Sequence, residues 1–363
     1  MNILIDIGHP AHVHYYRNLA RELETLNHKI FWSAKDIPVA RRLLDHYKFK
    51  YLLLPPKKDG LIGKAWMQLY YDWILYRFCK KNKISLAIGT SISVTHISKI
   101  SNIKSLFFED DDDAVVPLSA KIAIPYANHV ISPECLKGKQ KRKDTIYYPG
   151  YHELAYLHPK RFQPDPAVLK EAGIKEGETF FIMRFNVFKA HHDVGISGLS
   201  LQQKLQLIEE LKLHGKIFIT TEREIEPELR DYQLKVSPEK IHSLMAHATL
   251  FLGDSQTMTS EAAVLGIPSL RCNSFAGRIS YLEEQEHTYG LTYGFLPSDF
   301  EKMLIKLRQL IATPNLKEKW QEKRRKMLAE KMDVTAFWVW FIENYPGSLI
   351  EMEDNDEFWW RFR

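Results

Sequence analysis

Cysteine is scarce in this chain, with only three in 363 residues. Cys79, Cys135 and Cys272 are odd in number and form no CxxC pair, which speaks against a disulfide framework and against a cysteine zinc site. A surplus of one charge is missing too. Fifty Lys+Arg against 45 Asp+Glu leave +5, spread too evenly to argue for a nucleic-acid partner, while an anionic small substrate stays open. The most apolar stretches, 61–78 and 336–342, are interrupted by polar residues or too short to span a bilayer. Residues 1–8 do not read as a signal peptide, and together with the thiols they point to a reducing, cytoplasmic setting. Walker A, GxGxxG, GxSxG and HExxH patterns are all absent, so ATP-driven, dehydrogenase, serine-hydrolase and zinc-peptidase readings lose their main support.

What is present is alternation. With 45% hydrophobic residues and about 150 residues per domain, two domains with full cores are expected. Strand candidates at 2–7, 29–33, 51–54, 86–88, 105–108 and 129–132 are separated by helical spacing at 14–26, 39–46, 63–82 and 94–101. A Pro-rich stretch follows, and the alternation resumes with strands at 179–183, 216–220, 250–253 and 269–271. The pattern predicts two parallel-sheet α/β halves, 1–150 and 177–332, with a linker at 151–176 and a ligand cleft between them. A helix at 333–346 and a tail at 347–363 remain. The tail gathers Trp359, Trp360, Arg361 and Arg363, a composition that suits either packing on the body or peripheral contact with a membrane surface.

Four segments could carry chemistry. In 250–270 an apolar strand runs through Gly253, Asp254 and Ser255 straight into a small-residue helix, whose first N–H groups lack intrahelical acceptors and suit a phosphate. Ser255 and Thr257 add hydroxyls, and Glu261 could accept from sugar or ribose hydroxyls; the alternative is a plain turn capped by Asp254 or Ser255 with Glu261 in solvent. The string GHPAHVH sets His9, His12 and His14 between the first strand and helix, where a histidine could serve as base or sugar contact, the three could hold a metal with an acidic ligand from elsewhere, or they could pack. The run from Glu109 to Asp113 follows a strand, so Glu109 or Asp110 could act as base; a solvated loop and a Mg²⁺ site are the alternatives. Arg184 and Lys189, in MRFNVFKAHHD, could neutralise a diphosphate.

These segments resemble the glycosyltransferase-B superfamily, which includes nucleotide-sugar glycosyltransferases and non-hydrolysing UDP-N-acetylglucosamine 2-epimerases. The strings DIGHPAHVHYYRNLARELE, GYHELAYLHPKRFQPDP, GLSLQQKLQLIEEL, SEAAVLGIPSLRCNSFAGR and DVTAFWVWFIENYP are similar, over nearly the whole chain, to a prokaryotic family within it catalogued as a domain of unknown function. The resemblance implies two Rossmann-like domains with a final helix packing back on the first. It implies a phosphate site at Ser255 with the Gln256 and Thr257 amides, in a segment that also aligns Asp254, Ser260, Gly266 and Pro268, and a ribose contact at Glu261. Glu109 falls where the epimerases place an active-site glutamate, and His12 matches the Gly-His loop of transferases. Thr90 replaces the aspartate of the epimerase turn, two epimerase glycines are Gln256 and Thr257 here, and the epimerase Thr-Arg-Pro-Glu and His-Arg-Arg-Glu-Asn strings are missing.

The function expected from this resemblance is a glycosyltransferase using a nucleotide-sugar, UDP-linked, in surface polysaccharide or glycolipid assembly, with a glycan or lipid-linked acceptor and no further cofactor or metal. An epimerase of UDP-N-acetylhexosamine and a non-catalytic nucleotide-sugar-binding module are the alternatives.

Overall fold

A computed structural model describes the chain except residues 57–59, 186–197, 222–224 and 353–355. Two compact units emerge, Met1–Arg161 with Lys331–Arg363, and Phe162–Glu330.

The first unit is built on seven parallel strands: β1 (Asn2–Ile7), β2 (Lys29–Ala34), β3 (Tyr51–Leu53), β4 (Leu86–Gly89), β5 (Lys104–Phe108), β6 (His129–Pro133) and β7 (Ile146–Tyr148). Their spatial order is β3-β2-β1-β4-β5-β6-β7. Ile3, Leu4, Ile5 and Ile7 of β1 are all fully buried, as expected of a central strand covered on both faces. The order reverses between β1 and β4, and in open parallel sheets ligands bind beyond the carboxyl ends of the strands at such a reversal. Gly89 ends β4 there because a Cβ at this position would sit 2.9 Å from the Asp6 carbonyl oxygen.

The first helix runs Pro10–Thr25, starting four residues before the apolar spacing suggested. His9 caps it, accepting the Ala11 N–H at 3.3 Å, and Pro10 takes the first position, where its missing N–H costs nothing. His12 and His14 are therefore helical residues and not loop residues.

Composition marked 151–176 as a linker, yet Tyr151, Leu154, Ala155, Tyr156 and Leu157 are fully buried in the first unit, and residues from Phe162 onward belong to the second. The Pro and Gly that suggested a linker punctuate short elements instead. The Val334–Glu343 helix belongs to the first unit. Its Trp338 is fully buried, with ring centroids 4.5 Å from Phe108, 5.2 Å from His152 and 5.9 Å from Tyr16. The aromatic tail folds onto the same helix: Phe358 lies 4.6 Å from Trp340 and Trp359 lies 5.1 Å from Phe337. Phe358 and Phe362 are buried, and only Trp360 of that cluster stays widely exposed. Packing, the first of the two expectations for the tail, is what the fold displays.

The second unit has five parallel strands: β8 (Phe180–Arg184), β9 (Lys216–Thr220), β10 (Leu250–Gly253), β11 (Ser269–Cys272) and β12 (Thr292–Phe295). They lie in the order β12-β11-β10-β8-β9, so this sheet reverses between β8 and β10. Gly253 is required at that point, since a Cβ would meet the Arg184 carbonyl oxygen at 2.0 Å. The chain passes directly into the Gln256–Leu265 helix. No described helix is long and apolar enough to cross a membrane.

Candidate functional site

In the first unit, the residues beyond β1, β4 and β5 converge. His12 Nδ1 accepts the Gly8 N–H at 3.3 Å, and Thr90 Oγ1 lies 3.0 Å from Nε2 and 3.2 Å from Nδ1. Tyr15, one turn along the same helix face, donates its hydroxyl to Asp110 Oδ2 at 3.3 Å. From the segment after β7, His152 places Nδ1 3.1 Å from that oxygen. His14 turns elsewhere, stacked at 5.4 Å on Tyr156 and edge-on to Tyr47. The three histidines thus do three different jobs, as helix cap, partner of the Gly8 amide and Thr90, and core packing, and do not gather around one point.

The run from Glu109 to Asp113 is not a solvated loop. Glu109, Asp112 and Asp113 are buried, and Glu109 Oε1 accepts the backbone N–H groups of Asp110 and Asp111 at 3.2 and 3.1 Å. Burial, with Asp111 and Asp110 adding repulsion, holds the Glu109 carboxyl well above the usual range despite those bonds. Burial likewise lifts Asp111 to about 7, helped by Asp110 and Asp112. Asp110 goes the other way: burial acts to raise it, but the His152 ring, His12 and the Tyr15 hydroxyl together hold it below its ordinary value. An ionised carboxylate beside two carboxyls that resist ionisation is the arrangement that separates acid from base. His12, desolvated and next to His9, is lowered to about 3 and is an uncharged imidazole at neutral pH. Oxygens of Glu109, Asp110 and Asp111 lie within 4.8 Å of one another, so among the described residues this trio could hold a cation.

In the second unit Ser255 is the helix cap, its hydroxyl accepting the Met258 N–H at 3.4 Å. That leaves the Gln256 and Thr257 amides as first-turn donors without intrahelical acceptors, on partly exposed residues. Asp254 is buried, its N–H donating to the Arg184 carbonyl at 3.1 Å and its carbonyl accepting from Asn273 Nδ2 at 2.8 Å. Arg184, at the end of β8, donates to Thr220 Oγ1 at 3.3 Å. The ends of β8 and β10 and the first-turn amides meet at the sheet's reversal, which suits an anion held by the helix dipole, and the Arg184 guanidinium lies toward β9 at the end of the adjoining strand. Glu261 is not in solvent: it is buried one turn inside the helix, with Oε1 2.9 Å from Nε2 of the equally buried His242. Lys189 lies outside the described residues.

The family model described as "Protein of unknown function (DUF354)" matches residues 1–285. The chain belongs to this family. An uncharacterized protein of Methanocaldococcus jannaschii is 24% identical over 305 residues, covering 79% of this chain and 86% of that protein. Among solved structures, the Neisseria meningitidis UDP-GlcNAc 2-epimerase bound to UDP-GlcNAc aligns with TM-score 0.67 at 15% identity, over 97% of this chain and 99% of that one. A Streptomyces sp. SF2575 glycosyltransferase complexed with thymidine diphosphate aligns with TM-score 0.61 at 11% identity, over 95% and 99%. At such identities the likeness shows the fold alone, and the fold of this DUF354 chain is that of nucleotide-sugar glycosyltransferases and epimerases.

The structure places His12, Glu109 and Asp110 near one another in one unit; in the other, Arg184 adjoins Asp254 and Ser255 through the backbone, Gln256 and Thr257 open the helix that follows, and Glu261 lies farther along it against His242. Sequence reasoning missed Tyr15, Thr90, His152 and His242. The apolar string LAYL after His152 was the available signal, since a solvated linker has no reason to carry it.

Proposed function

We propose that the protein is a nucleotide-sugar-dependent glycosyltransferase, taking a UDP-sugar and a glycan or lipid-linked acceptor in surface polysaccharide or glycolipid assembly. The observation that carries this reading is the second unit's reversal point, where Gly253 lets β10 approach β8 closely and Ser255 caps a helix beside Arg184. A diphosphate seated there takes the Gln256 and Thr257 amides, with the cationic Arg184 stabilising the charge that builds on the leaving group. Glu261, oriented by His242, accepts from the ribose.

The first unit supplies the acceptor chemistry. The acceptor oxygen bonds to the anomeric carbon as that carbon's bond to the diphosphate breaks, the electron pair leaving on the diphosphate. The hydroxyl proton passes to Asp110, which is ionised and partly accessible, while the uncharged His12 orients the hydroxyl from the first helix. Glu109, raised above its usual range by burial and its acidic neighbours, resists adding a second negative charge to the site.

One observation favours a second reading. Glu109 and Asp111 raised beside a lowered Asp110 form an acid and base pair, which 2-epimerisation of a UDP-N-acetylhexosamine also needs. Mass spectrometry of products from a panel of UDP- and GDP-sugars, with and without cell-envelope extract, separates the two. A glycosylated acceptor with free nucleoside diphosphate supports transfer, whereas an isomer of unchanged mass in H₂O that gains one deuterium in D₂O supports epimerisation. Neither product from any donor contradicts both.

A further inference from the structure

The Leu61–Lys81 helix of the first unit is apolar on both its faces. Its inner face is accounted for: Met67, Tyr71, Leu75 and Cys79 pack into a core with Leu4, Val94 and Ile97. The outer face is not. Trp66 is 70% exposed, Leu69 64%, Tyr70 45% and Trp73 51%. Spaced i, i+3, i+4, i+7, these four form one stripe on the solvent side. Isolated surface apolar residues mean little, but four large ones contiguous on a helix mark a contact surface.

The charges on this helix identify the partner. Farther along the same stripe, Arg77, Lys80 and Lys81 are exposed, and the Arg77 guanidinium sits 5.0 Å from the Trp73 ring centroid. The helix has one acid, Asp72, and it is buried, tied to Ser93 and His96 at 2.6 and 2.7 Å. The outer face therefore presents aromatic rings and positive charge with no exposed carboxylate. Tyr70 and Trp73 are stacked, 5.9 Å apart and 15° from parallel, so the rings form a fixed platform. Tryptophan and tyrosine rings sit at the headgroup level of a bilayer, and adjacent lysine and arginine pair with anionic headgroups.

We infer that this helix docks the protein on the surface of an anionic phospholipid bilayer, lying in the interface plane with its aromatic stripe inserted. The inner face is locked into the core, so the contact is interfacial, with only the outer stripe inserted. The site is distinct from the C-terminal tail, whose rings are largely spent on the Val334–Glu343 helix. It goes beyond the nucleotide-sugar reading and needs no nucleotide.

The test is sedimentation of the full chain with phosphatidylcholine vesicles, with and without phosphatidylglycerol, at low and high salt. The expected result is binding to the anionic vesicles, weakened by salt. The double variant Trp66→Ser/Trp73→Ser should bind at least about tenfold more weakly with an unchanged melting temperature, because it removes apolar insertion and touches no core residue. Lys80→Glu/Lys81→Glu provides a second reading through charge alone and should lose the preference for phosphatidylglycerol, while Trp360→Ala should bind as the parent does. Failure of the parent to bind anionic vesicles overturns the inference, as does equal binding by both double variants. A concentration-dependent dimer that Trp66→Ser/Trp73→Ser dissolves, without vesicle binding by the parent, assigns the face to a second copy and overturns it too.

Discussion

His152 Nδ1 lies 3.1 Å from Asp110 Oδ2, across a sheet edge from a segment that the sequence presents as connecting chain. His152 is fully buried, and its ring packs 5.0 Å from Tyr15, which donates to the same carboxylate oxygen. The Tyr15 hydroxyl donates to this oxygen and the His152 ring lies beside it, and both favour the carboxylate's ionised form. Asp110→Asn should therefore lower turnover by about 10² to 10⁴ fold, the usual worth of a general base, with nucleotide affinity unchanged. His152→Gln, which acts through Asp110, should lower turnover less and raise the pH at which activity appears. Steady-state kinetics across pH with parallel nucleotide titration checks both, and normal turnover in Asp110→Asn would remove the base from this loop.

His12 carries a pH signature. Its folded-state value of about 3 lies below the ordinary 6.5, so the unfolded chain binds more protons between those values. Its contribution to stability is therefore complete above about pH 6.5 and is lost as pH falls toward about 3. Urea unfolding of the parent and of His12→Gln should show a shallower acid slope in the variant. At neutral pH the variant should bind UDP normally but turn over about 10² to 10⁴ fold more slowly if the imidazole orients the acceptor in the transition state; identical kinetics would make His12 a packing residue.

Glu261 and His242 share a buried contact of 2.9 Å. Loss of a charged hydrogen bond costs about 1.5 to 3 kcal/mol, and Glu261→Ala also leaves His242 buried without this carboxylate. Two separable effects are expected: a lower urea midpoint, and weaker nucleotide binding in the folded protein. A variant that is destabilised yet binds nucleotide as the parent does would make the carboxylate purely structural.

Chelation tests the carboxylate cluster. Amides and a guanidinium can supply the charge stabilisation at the second unit's turn, so UDP binding should survive EDTA. Complete loss of binding or turnover, restored by Mg²⁺, would instead assign a cation to Glu109, Asp110 and Asp111, whose oxygens are close enough to share one.

Much of the fold is legible because buried parallel strands are continuous apolar runs, as in Ile3–Leu4–Ile5 of β1 and the LFL of β10. Two strands escape that signal. β7 and β12 are three and four residues long and partly exposed, so their apolar content does not rise above the surrounding chain. The start of the first helix hides in GHPAHVH because its evidence is a capping histidine and a proline, not periodicity. The second unit's turn is legible because it is local: strand, glycine, cap and helix are contiguous in sequence. The first unit's cluster is not, since Tyr15, Thr90, Asp110 and His152 come from four separate segments and meet only through the topology of the sheet. Burial of Glu109 and its neighbours is likewise a tertiary fact, for a run of acids reads as solvated until the sheet closes around it.

The most direct test of the central claim is calorimetric titration of UDP into the full chain and into Arg184→Ala, backed by melting curves. The second unit's turn should bind UDP, and UDP at about 100 times its dissociation constant should add about 2.7 kcal/mol of stability. Arg184→Ala should bind more weakly, by about 1.5 to 3 kcal/mol for a lost charged contact, while still folding. No heat and no melting shift with any nucleoside diphosphate at saturating concentration, or full affinity in Arg184→Ala, would contradict the assignment of this turn as the donor site.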